Sequence, residues 1–572
     1  MLEFAARYPP LVHNVPMKCF AALLLGATLM SAQTDFDRLV DSYFDEQFRL
    51  NPSSATAAGF HNRDTELEDY SAKAFAERVA VDRRFLAEFT EVAPSPERDI
   101  VIARINGDLL TTEKIRPQEK NPDFYSGSVT GSIFGLMSRK FAAPEVRLQD
   151  VIAREKQIPT VLLEARHNLK DCPKIYTEVA LEQLPGIESF FASDVPSAFT
   201  DVKDPKLLAE FKATDTQVIE AFKSYEAFLK TTVLPNSHGD YRIGADNYRK
   251  KLLYDEMVDI PLDRLLAIGY ENLRANQKAL VEVAKQIDPT KSPREVSESL
   301  GLDHPAPDAL LQTFRDTLGG LIDFVRGHHI ITIPSDVRPI LEESPPFMRA
   351  TTTASMDTPG PYEKVATEAY FNVTLPEKGW SREKTNEFMD AFNRGTIIST
   401  AIHEAYPGHY VQLLWWQKLD SKVRRLISCG TNVEGWAHYT EQMMLDQGYA
   451  SGDLKIRLGQ LQDALLRNSR YIVGIQMHTG KMTYEQAVDF FMREGYEPKP
   501  IAELESKRGT ADPTYLMYTL GKLQIMKLRE DYKALKGSAY SLEEFHNTFM
   551  RQGGLPIKII RKQMLGNDSP TL

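Results

Sequence analysis

The sequence has few cysteines and no run rich in lysine or arginine. Its three cysteines do not show zinc-finger spacing, which excludes a cysteine-based structural metal site. The 572 residues carry a formal net charge of −11. Nucleic-acid binding needs a concentrated basic surface, so this charge pattern argues against a nucleic-acid partner.

Long hydrophobic runs are also missing, apart from one near the N-terminus. There Met17 and Lys18 precede the apolar stretch "CFAALLLGATLM", which is followed by "SAQ". A basic start, about a dozen apolar residues and small residues at the end are typical of a secretory signal peptide. The run is too short to span a bilayer as a mature helix. We therefore predict a signal peptide over residues 1–32, with translation starting at Met17, and a periplasmic or secreted protein without a stable membrane span.

Removal of this segment leaves two cysteines, Cys172 and Cys429. Secretion would permit a disulfide bond between them. They are far apart in the sequence, however, and no pattern indicates that they meet. The sequence therefore predicts two free buried thiols.

The rest of the chain has the composition of a folded soluble protein, with 42% apolar and 26% charged residues. Apolar residues recur mostly at helical spacing. The clearest helical segments are residues 36–44, 71–90, 146–170, 205–230, 262–287 and 308–327, and the pattern stays helical from 383 to near the end. Two segments rich in β-branched or aromatic residues, 328–334 and 368–376, predict strands. We expect a mainly α, multi-helical fold with a small β element.

The length favours more than one hydrophobic core. A cluster of proline, glycine and asparagine in "LPNSHGDYRIG" (234–244) is the best division point. We therefore predict an N-terminal helical lobe over 33–240 and a second helical lobe over 241–572.

The stretch "STAIHEAYPGHYVQLLWW" begins like the helix of a zinc protease, with His403 followed by Glu404. The second metal-binding histidine usually stands four residues after the first. Here Pro407 occupies that place and the next histidine is His409. On an unbroken helix the two histidines would diverge by about 120° and lie roughly 9 Å apart along the axis. They could not then share a zinc ion, whose bonds to nitrogen are about 2.0–2.1 Å long.

The residues between the histidines resolve this conflict. Pro407 has no N–H to donate to the carbonyl of His403, and its ring clashes there in a regular helix. Gly408 permits backbone conformations that other residues avoid. Together they can produce a bulge that absorbs the two extra residues. We therefore predict that the chain breaks its helix between Tyr406 and His409, which lets His409 return to the side of His403.

A downstream segment, "TNVEGWAHYTEQMM" (431–444), provides a third ligand. It places Glu434, His438 and Glu441 on one helical face, at i, i+4 and i+7. Two imidazoles and one carboxylate, from His403, His409 and Glu434, would leave the fourth zinc position open to water.

The two motifs also contain a candidate general base and a second possible ligand set. Glu404, next to His403, is the candidate to take the proton of the attacking water. A second possible ligand set, His403, Glu434 and His438, needs no break in the helix and ranks behind the first.

At these motifs the chain resembles the bacterial proteins grouped as domain of unknown function family 885. The resemblance covers nearly the whole mature chain and is most specific at "HEAYPGH" (403–409), with Gln412 after it, and at "EGWAHYTE" (434–441). The supporting segments are "FRLNPSSATAAGFHNRDTELEDYS" (48–71), "ADPTYLMYTLGKLQIMKLRED" (511–531) and "FHNTFMRQGGLPI" (545–557). The family in turn resembles helical zinc metallopeptidases of the thimet oligopeptidase and helical carboxypeptidase groups.

The resemblance implies a mostly α-helical, two-lobed fold with a cleft and one zinc ion per chain. It implies His403, His409 and Glu434 as the metal ligands and Glu404 as the general base.

The resemblance also implies residues that assist catalysis. Tyr518 stands where the family usually has a tyrosine that stabilises the oxyanion, and Tyr515 is the reserve. His478 falls at a family histidine. Relatives often carry aspartate where this chain has Gly474, which puts a carboxylate partner for His478 in doubt.

Three further residues are candidates for substrate contacts. Asn372, in a predicted strand, would bind the backbone of a peptide beside a strand edge, because an extended peptide adds naturally to an unpaired edge. Arg349 and Arg529 would bind a substrate carboxylate, which would make the enzyme a carboxypeptidase.

The leading hypothesis is a zinc peptidase that acts on short peptides. The same chemistry serves non-peptide amides and esters, and a catalytically silent binding protein of the same fold is a further alternative. A helical di-iron oxidase is disfavoured, because it needs two Glu-x-x-His elements and "EEFH" (543–546) is the one suitable candidate.

Overall fold

The computed structural model describes residues 35–344, 349 and 353–572. The predicted signal peptide lies outside the described residues. The chain divides into two compact units, residues 1–47 and 48–572. The described part of the first unit is helical and belongs to helix α1, residues 35–50.

Helices make up most of the described chain before the sheet, as the apolar periodicity predicts. After α1 they are α2 (Pro52–Ala58), α3 (Ala72–Glu91), α4 (Pro96–Leu110), α5 (Pro117–Lys120), α6 (Asp123–Ser138), α7 (Pro144–Glu155), α8 (Ile158–Asn168), α9 (Lys174–Ser189), α10 (Val195–Ala198), α11 (Pro205–Phe228), α12 (Gly244–Glu256), α13 (Leu262–Ile287), α14 (Pro293–Gly301) and α15 (Leu310–Gly327).

The chain is helical again after the sheet. These helices are α16 (Arg382–Met389), α17 (Arg394–Glu404), α18 (His409–Trp416), α19 (Lys422–Leu426), α20 (Gly430–Asp446), α21 (Leu454–His478), α22 (Tyr484–Glu494), α23 (Lys499–Ala511), α24 (Met517–Lys536), α25 (Leu542–Met550) and α26 (Ile557–Leu565).

Local side-chain chemistry starts several of these helices. The hydroxyls of Ser71 and Ser95 accept hydrogen bonds from the backbone three residues on, at the beginnings of α3 and α4. Ser292 and Thr483 each form a reciprocal capping box with the third residue of the helix that follows. Such caps satisfy backbone N–H groups that the first turn leaves without a partner.

A small sheet interrupts the helices. Its strands are β1 (Ile340–Glu343), β2 (Ala354–Asp357) and β3 (Tyr370–Val373), in the order β1-β3-β2. β3 pairs parallel with β1 and antiparallel with β2. The strand predicted over 368–376 is therefore confirmed, and it is the central strand.

The strand predicted over 328–334 is wrong. The segment begins as a turn that closes α15, with the Ile330 N–H bonded to the Val325 carbonyl. Its next polar groups bond to side chains rather than to a strand: the Ile330 carbonyl to His546 and the Thr332 N–H to Asn547. The β-branched residues are there because Ile330 and Ile331 are buried, not because they pair.

Two hydrophobic clusters form much of the core. One is built from residues between Leu67 and Val233 together with Ala366, and the other from residues between Tyr248 and Leu520. Cys172 belongs to the first cluster, and Cys429 is buried elsewhere in the second half. Both thiols are free, as predicted.

None of the helices in the described parts of the chain is long and apolar enough to cross a membrane. This agrees with the absence of any long apolar run after the N-terminal segment.

A buried carboxyl pair lies between α7 and α11 in the first cluster. Glu155 is fully buried, and neither of its carboxyl oxygens has a hydrogen-bond partner. Burial, reinforced by the nearby Asp215 carboxyl, raises the pKa of Glu155 to about 9. Burial also raises the pKa of Asp215, to about 6. At neutral pH the folded protein therefore holds a proton on Glu155 that the unfolded chain releases.

This pair predicts a pH-dependent stability. Between the unfolded pKa of Glu155 and about 9, the folded state binds more protons than the unfolded state, so stability falls as pH rises. Glu155→Gln removes this term. At pH 5 we expect the free energy of unfolding of the variant to be close to that of wild type. Towards pH 8 we expect it to exceed the wild-type value by a difference that grows by up to ~1.4 kcal/mol per pH unit.

Denaturant unfolding followed by circular dichroism at both pH values measures this effect. Glu220→Gln, on the exposed side of α11, is the matched control and should track wild type at each pH. A gain of equal size at pH 5 and pH 8 would mean that Glu155 is ionised in the folded protein.

Candidate metal centre

The helix that carries His403 stops where the sequence predicts a break. α17 ends at Glu404 and α18 begins at His409, with a bend over residues 405–408. The Tyr406–Pro407 peptide bond is cis. The Gly408 N–H then bonds back to the carbonyl of Ile402, at 3.0 Å. The interruption is thus a full separation into two helices rather than a bulge within one.

Gly408 is required because the returning chain lies against the last turn of α17. A Cβ atom at this position would stand 1.8 Å from the carbonyl oxygen of His403 and 2.4 Å from that of Ile402. The bend is also tied from outside, since the indole N–H of Trp436 donates to the Pro407 carbonyl at 2.9 Å. A hydrogen bond therefore joins Pro407, in the "PG" of the first motif, to Trp436, in "EGWA".

This path brings the three predicted ligands together. The Nε2 atoms of His403 and His409 each lie 3.5 Å from Oε2 of Glu434. The two imidazole rings are 4.8 Å apart and nearly perpendicular, at 87°. Within the described residues this is the one group of histidine, cysteine or acidic side chains whose ligand atoms could converge on a metal ion, all lying within 4.8 Å of one another.

Two of the three separations between the ligand atoms suit a tetrahedral zinc ion. Ligand atoms at about 2.0–2.2 Å from zinc stand roughly 3.3–3.6 Å from each other in a tetrahedron. The two 3.5 Å separations match this value and are long for hydrogen bonds. Glu434 Oε2 is buried and has no hydrogen-bond partner, as expected of an oxygen built to bind something else.

Glu441 holds the triad from behind. Its Oε1 accepts from Nδ1 of His403 at 2.6 Å, and its Oε2 accepts from Nδ1 of His438 at 3.0 Å. Arg467 Nη2 lies 3.1 Å from the same Oε1. With its Nδ1 protonated towards Glu441, His403 presents Nε2 to the metal position, which is the usual role of a carboxylate behind a ligating histidine.

The same contacts decide between the two ligand sets considered from sequence. His438 is almost fully buried and faces Glu441. His409, not His438, shares a close approach to Glu434.

Burial and neighbouring charges act in opposite directions on the pKa values of His403 and Glu434. Burial acts to lower the pKa of His403, but the nearby carboxylates of Glu434 and Glu441 outweigh it and raise the pKa to about 9. Burial acts to raise the pKa of Glu434, but the neighbouring histidines hold it well below its usual value. Burial, with Lys522 nearby, lowers the pKa of His438 to about 3. Binding of a metal at Nε2 of His403 would therefore release a proton from that imidazole.

Glu404 is fixed by the sheet. Its Oε2 accepts a hydrogen bond from the backbone N–H of Met356 in β2, at 3.1 Å. β2 is an outer strand of the sheet. The carboxylate that follows His403 is thereby positioned beside a strand edge, with its second oxygen left for other contacts.

Close packing of α20 against α24 brings Tyr518 to the triad. A Cβ at Gly435 would lie 2.5 Å from the Cα of Gly521, so the two helices touch backbone to backbone. One turn before Gly521, the ring of Tyr518 stacks on His403 with 6.4 Å between ring centres and 22° between planes. Burial, with the Glu434 carboxylate nearby, raises the pKa of Tyr518, so its hydroxyl stays protonated. Tyr515 instead lies fully buried in the second hydrophobic cluster.

Three arginines that the sequence analysis did not single out surround Tyr518. The guanidinium carbons of Arg467, Arg470 and Arg508 lie 5.7, 5.2 and 5.9 Å from the centre of its ring. A signal was present: Arg467 and Arg470 stand at i and i+3 in "LLRNSRYIV", where an apolar helix has no reason to carry two charges.

His478 lies apart from the triad. It is buried at the C-terminal end of α21, eleven residues and about 16 Å beyond Arg467 along the helix. Its Nε2 donates to the Gly509 carbonyl at 2.7 Å, and burial lowers its pKa to about 4. At Gly474, where relatives carry aspartate, a Cβ would meet the Tyr515 ring at 2.9 Å.

The backbone of Asn372 is already paired, whereas its side-chain Oδ1 is buried without a hydrogen-bond partner among the described residues. Asn372 is on the central strand and pairs with Glu342 on one side and Ser355 on the other, so its backbone cannot receive an added peptide.

The two candidate arginines already have partners. Arg349 binds Glu343 at 2.9 Å and the Ser344 carbonyl at 2.8 Å. Arg529 donates to the hydroxyl of Tyr439 at 3.1 Å and to the neighbouring Glu530.

The "EEFH" segment does not form a carboxylate-rich centre. His546 bonds to the Ile330 carbonyl and to the Tyr439 hydroxyl. Glu543 bonds to Thr332 on the surface. Both side chains act as ties between α25 and the segment after α15.

Comparison with protein families gives one match over almost the whole chain. The model of the family described as bacterial protein of unknown function (DUF885) matches residues 52–564. The chain belongs to the DUF885 family. The match includes every residue of the triad, Glu404 and Tyr518, and it confirms the family resemblance noted from the sequence.

Solved structures support the same fold for this DUF885 chain. A "putative lipoprotein of unknown function" from Shewanella oneidensis has 26% sequence identity and a TM-score of 0.77, with 93% of this chain and 99% of that chain covered. A "putative lipoprotein" from Colwellia psychrerythraea has 17% identity and a TM-score of 0.79, with 92% and 98% covered. A comparison with curated proteins finds no significant match.

The close approach at Gly408 predicts that this residue cannot be replaced. Gly408→Ala would push the returning chain away from the His403 carbonyl and separate His409 from Glu434. We expect the purified variant to lose zinc binding, measured by metal analysis after dialysis against zinc. Gly319→Ala, in α15, is the matched control because its added methyl meets nothing within 4 Å. Full zinc occupancy in Gly408→Ala would show that the bend does not position His409.

The contacts of Glu441 predict a second effect on the metal. Glu441→Gln keeps the shape but removes the charge that orients His403 and pairs with Arg467. We expect zinc affinity to fall about 10–100-fold, measured by competition with a chromophoric chelator. Asp446→Asn, on the same helix and paired with Arg457, should leave the affinity unchanged. An unaltered affinity in Glu441→Gln would leave the carboxylate with a purely structural role.

Proposed function

We propose that this DUF885 protein is a periplasmic or secreted zinc-dependent peptidase that hydrolyses short peptides. The observation that carries the proposal is the convergence of His403, His409 and Glu434 within 4.8 Å, at the one place where the chain interrupts a helix to allow it. Two imidazoles and a carboxylate are the ligand set of catalytic zinc sites in several peptidases. The mainly helical fold agrees with the helical metallopeptidases that the sequence resembles.

A zinc ion bound there would lower the pKa of a water molecule and polarise the carbonyl of the scissile bond. Glu404 would accept the proton of the attacking water. Its Oε2 accepts a hydrogen bond from the backbone N–H of Met356 in β2, and this contact fixes the orientation of the carboxylate. A fixed carboxylate next to a ligating histidine is suited to general-base catalysis and to returning the proton to the leaving amine.

Tyr518 is the proposed hydrogen-bond donor to the developing oxyanion. Its ring is held by His403 on one side and by arginines around it, and its phenol stays neutral. A preorganised donor at this position stabilises the transition state more than the substrate. β2 offers a strand edge beside Glu404, a natural place for an extended peptide.

Two observations support a location outside the cytoplasm. The N-terminal sequence has the pattern of a signal peptide. The two structural neighbours are described as putative lipoproteins, which are exported proteins. Zinc-dependent hydrolysis of peptides in that compartment is consistent with both.

The test removes the proposed base and keeps the metal site. Zinc-loaded wild type is incubated with a mixed peptide library and the products are read by mass spectrometry. We expect cleavage of short peptides, and a loss of about 10²–10⁴-fold in Glu404→Gln with zinc content unchanged.

Glu387→Gln, an exposed glutamate on α16, serves as the matched control and should cleave like wild type. No cleavage by any zinc-loaded preparation, or full activity in Glu404→Gln, would reject the proposed function. Cleavage confined to ester or non-peptide amide substrates would redirect it to another class of zinc hydrolase.

A further inference from the structure

The arginines around Tyr518 form a positively charged wall next to the triad. Tyr518 connects the two, because its ring stacks on His403 and its hydroxyl accepts a hydrogen bond from Arg508 at 3.2 Å. The guanidinium carbon of Arg508 lies 5.9 Å from the centre of the Tyr518 ring, which lies 6.4 Å from the centre of the His403 ring, so Arg508 is at most about 12 Å from that imidazole.

Two of the three arginines are already neutralised. Arg470 binds Glu505 through two hydrogen bonds of 2.6 and 2.8 Å, and its side chain is 10% exposed. Arg467 lies 3.1 Å from Glu441 and is 13% exposed. Buried arginines with close carboxylate partners are structural parts of the wall.

Arg508 differs from the other two arginines in its exposure and in its distance to a carboxylate. Its side chain is 40% exposed, and its nearest carboxylate among the described residues is Asp512, at 3.5 Å. A close charge-assisted bond between guanidinium and carboxylate is about 2.7–2.9 Å long. Arg467 has a second carboxylate, Asp463, at 4.0 Å. Among the described residues Arg508 is thus the arginine of the wall with the longest closest ion pair, and it is also the one that solvent reaches.

We propose that Arg508 binds the free C-terminal carboxylate of the peptide substrate. The proposal rests on the proposed function, since it names the substrate end that this site would recognise. A guanidinium presents a planar fork that matches a carboxylate bidentately, and the long, exposed ion pair of Arg508 with Asp512 is weak enough for a substrate carboxylate to compete with it.

The position of Arg508 also limits where the chain is cut. A distance of at most about 12 Å from His403 corresponds to no more than about three or four extended residues, at ~3.3–3.6 Å each. The scissile bond therefore lies within the last few residues, and the enzyme releases short C-terminal fragments. Arg349 and Arg529 do not compete for this role, because both bind other groups of the protein.

The test compares two peptides that differ only in a free acid or an amide at the C-terminus. Binding is measured by calorimetry to the zinc-loaded Glu404→Gln variant, in which hydrolysis is removed. We expect the acid to bind about 10–100-fold more tightly than the amide, as for a hydrogen-bonded charge pair. Adding Arg508→Ala should abolish this preference by weakening acid binding alone.

Two variants keep the test decisive. Arg508→Lys keeps the charge but loses the fork, so we expect an intermediate preference, and this variant replaces Arg508→Ala if the latter misfolds. Lys507→Ala is the matched control: it removes a cation from the neighbouring position of α23, where Lys507 binds Glu182 at 2.8 Å. Its preference for the acid should equal that of the parent.

The possible results separate this inference from the proposed function. Equal affinity for acid and amide in the parent, or a preference that survives Arg508→Ala and Arg508→Lys, overturns the role of Arg508. If wild type cleaves peptides without such a preference, the peptidase stands and the carboxylate site fails. If the preference is present but wild type cleaves neither peptide, the carboxylate site stands and hydrolysis fails.

Discussion

The contact between Gly408 and the carbonyl of His403 is the constraint on which the centre depends. The chain folds back over the last turn of α17 so tightly that no side chain fits between. This return places His409 at the start of α18, facing the same point as His403. Trp436 bonds to the bend from α20, the helix that also supplies Glu434. Ligand position and helix packing are therefore set by one local arrangement.

Charge pairing around the triad stabilises this arrangement in a buried site. Glu441 accepts hydrogen bonds from His403 and from the neutral His438 and pairs with Arg467, so that its buried charge has partners of opposite sign. Breaking one partner of such a network leaves an uncompensated charge, which costs far more than the pair contributes. The network thus orients the imidazoles and restricts them to one geometry, which is a requirement of a preorganised metal site.

Backbone contacts supply the remaining precision. Gly435 and Gly521 let α20 and α24 touch, and this contact places Tyr518 over His403. β2 fixes Glu404 from the other direction through Met356. Glu404, Tyr518 and the three side chains of the triad, carried by four separate helices, therefore meet in one place. Arg508 contacts the same site through the hydroxyl of Tyr518.

The sequence by itself determined what depends on near neighbours in the chain. Apolar periodicity and capping residues predict most helices, and "PG" between two histidines six residues apart predicts the break, because proline and glycine act on the backbone where they stand. The strand prediction for residues 328–334 was wrong because β-branched residues favour buried positions as much as paired strands. Only the tertiary structure decided which distant side chains meet. Arg508 reaches Tyr518, while Arg349, Arg529 and His478 bind other groups. The spacing along a chain gives the face of a helix, but the packing of helices decides what that face touches.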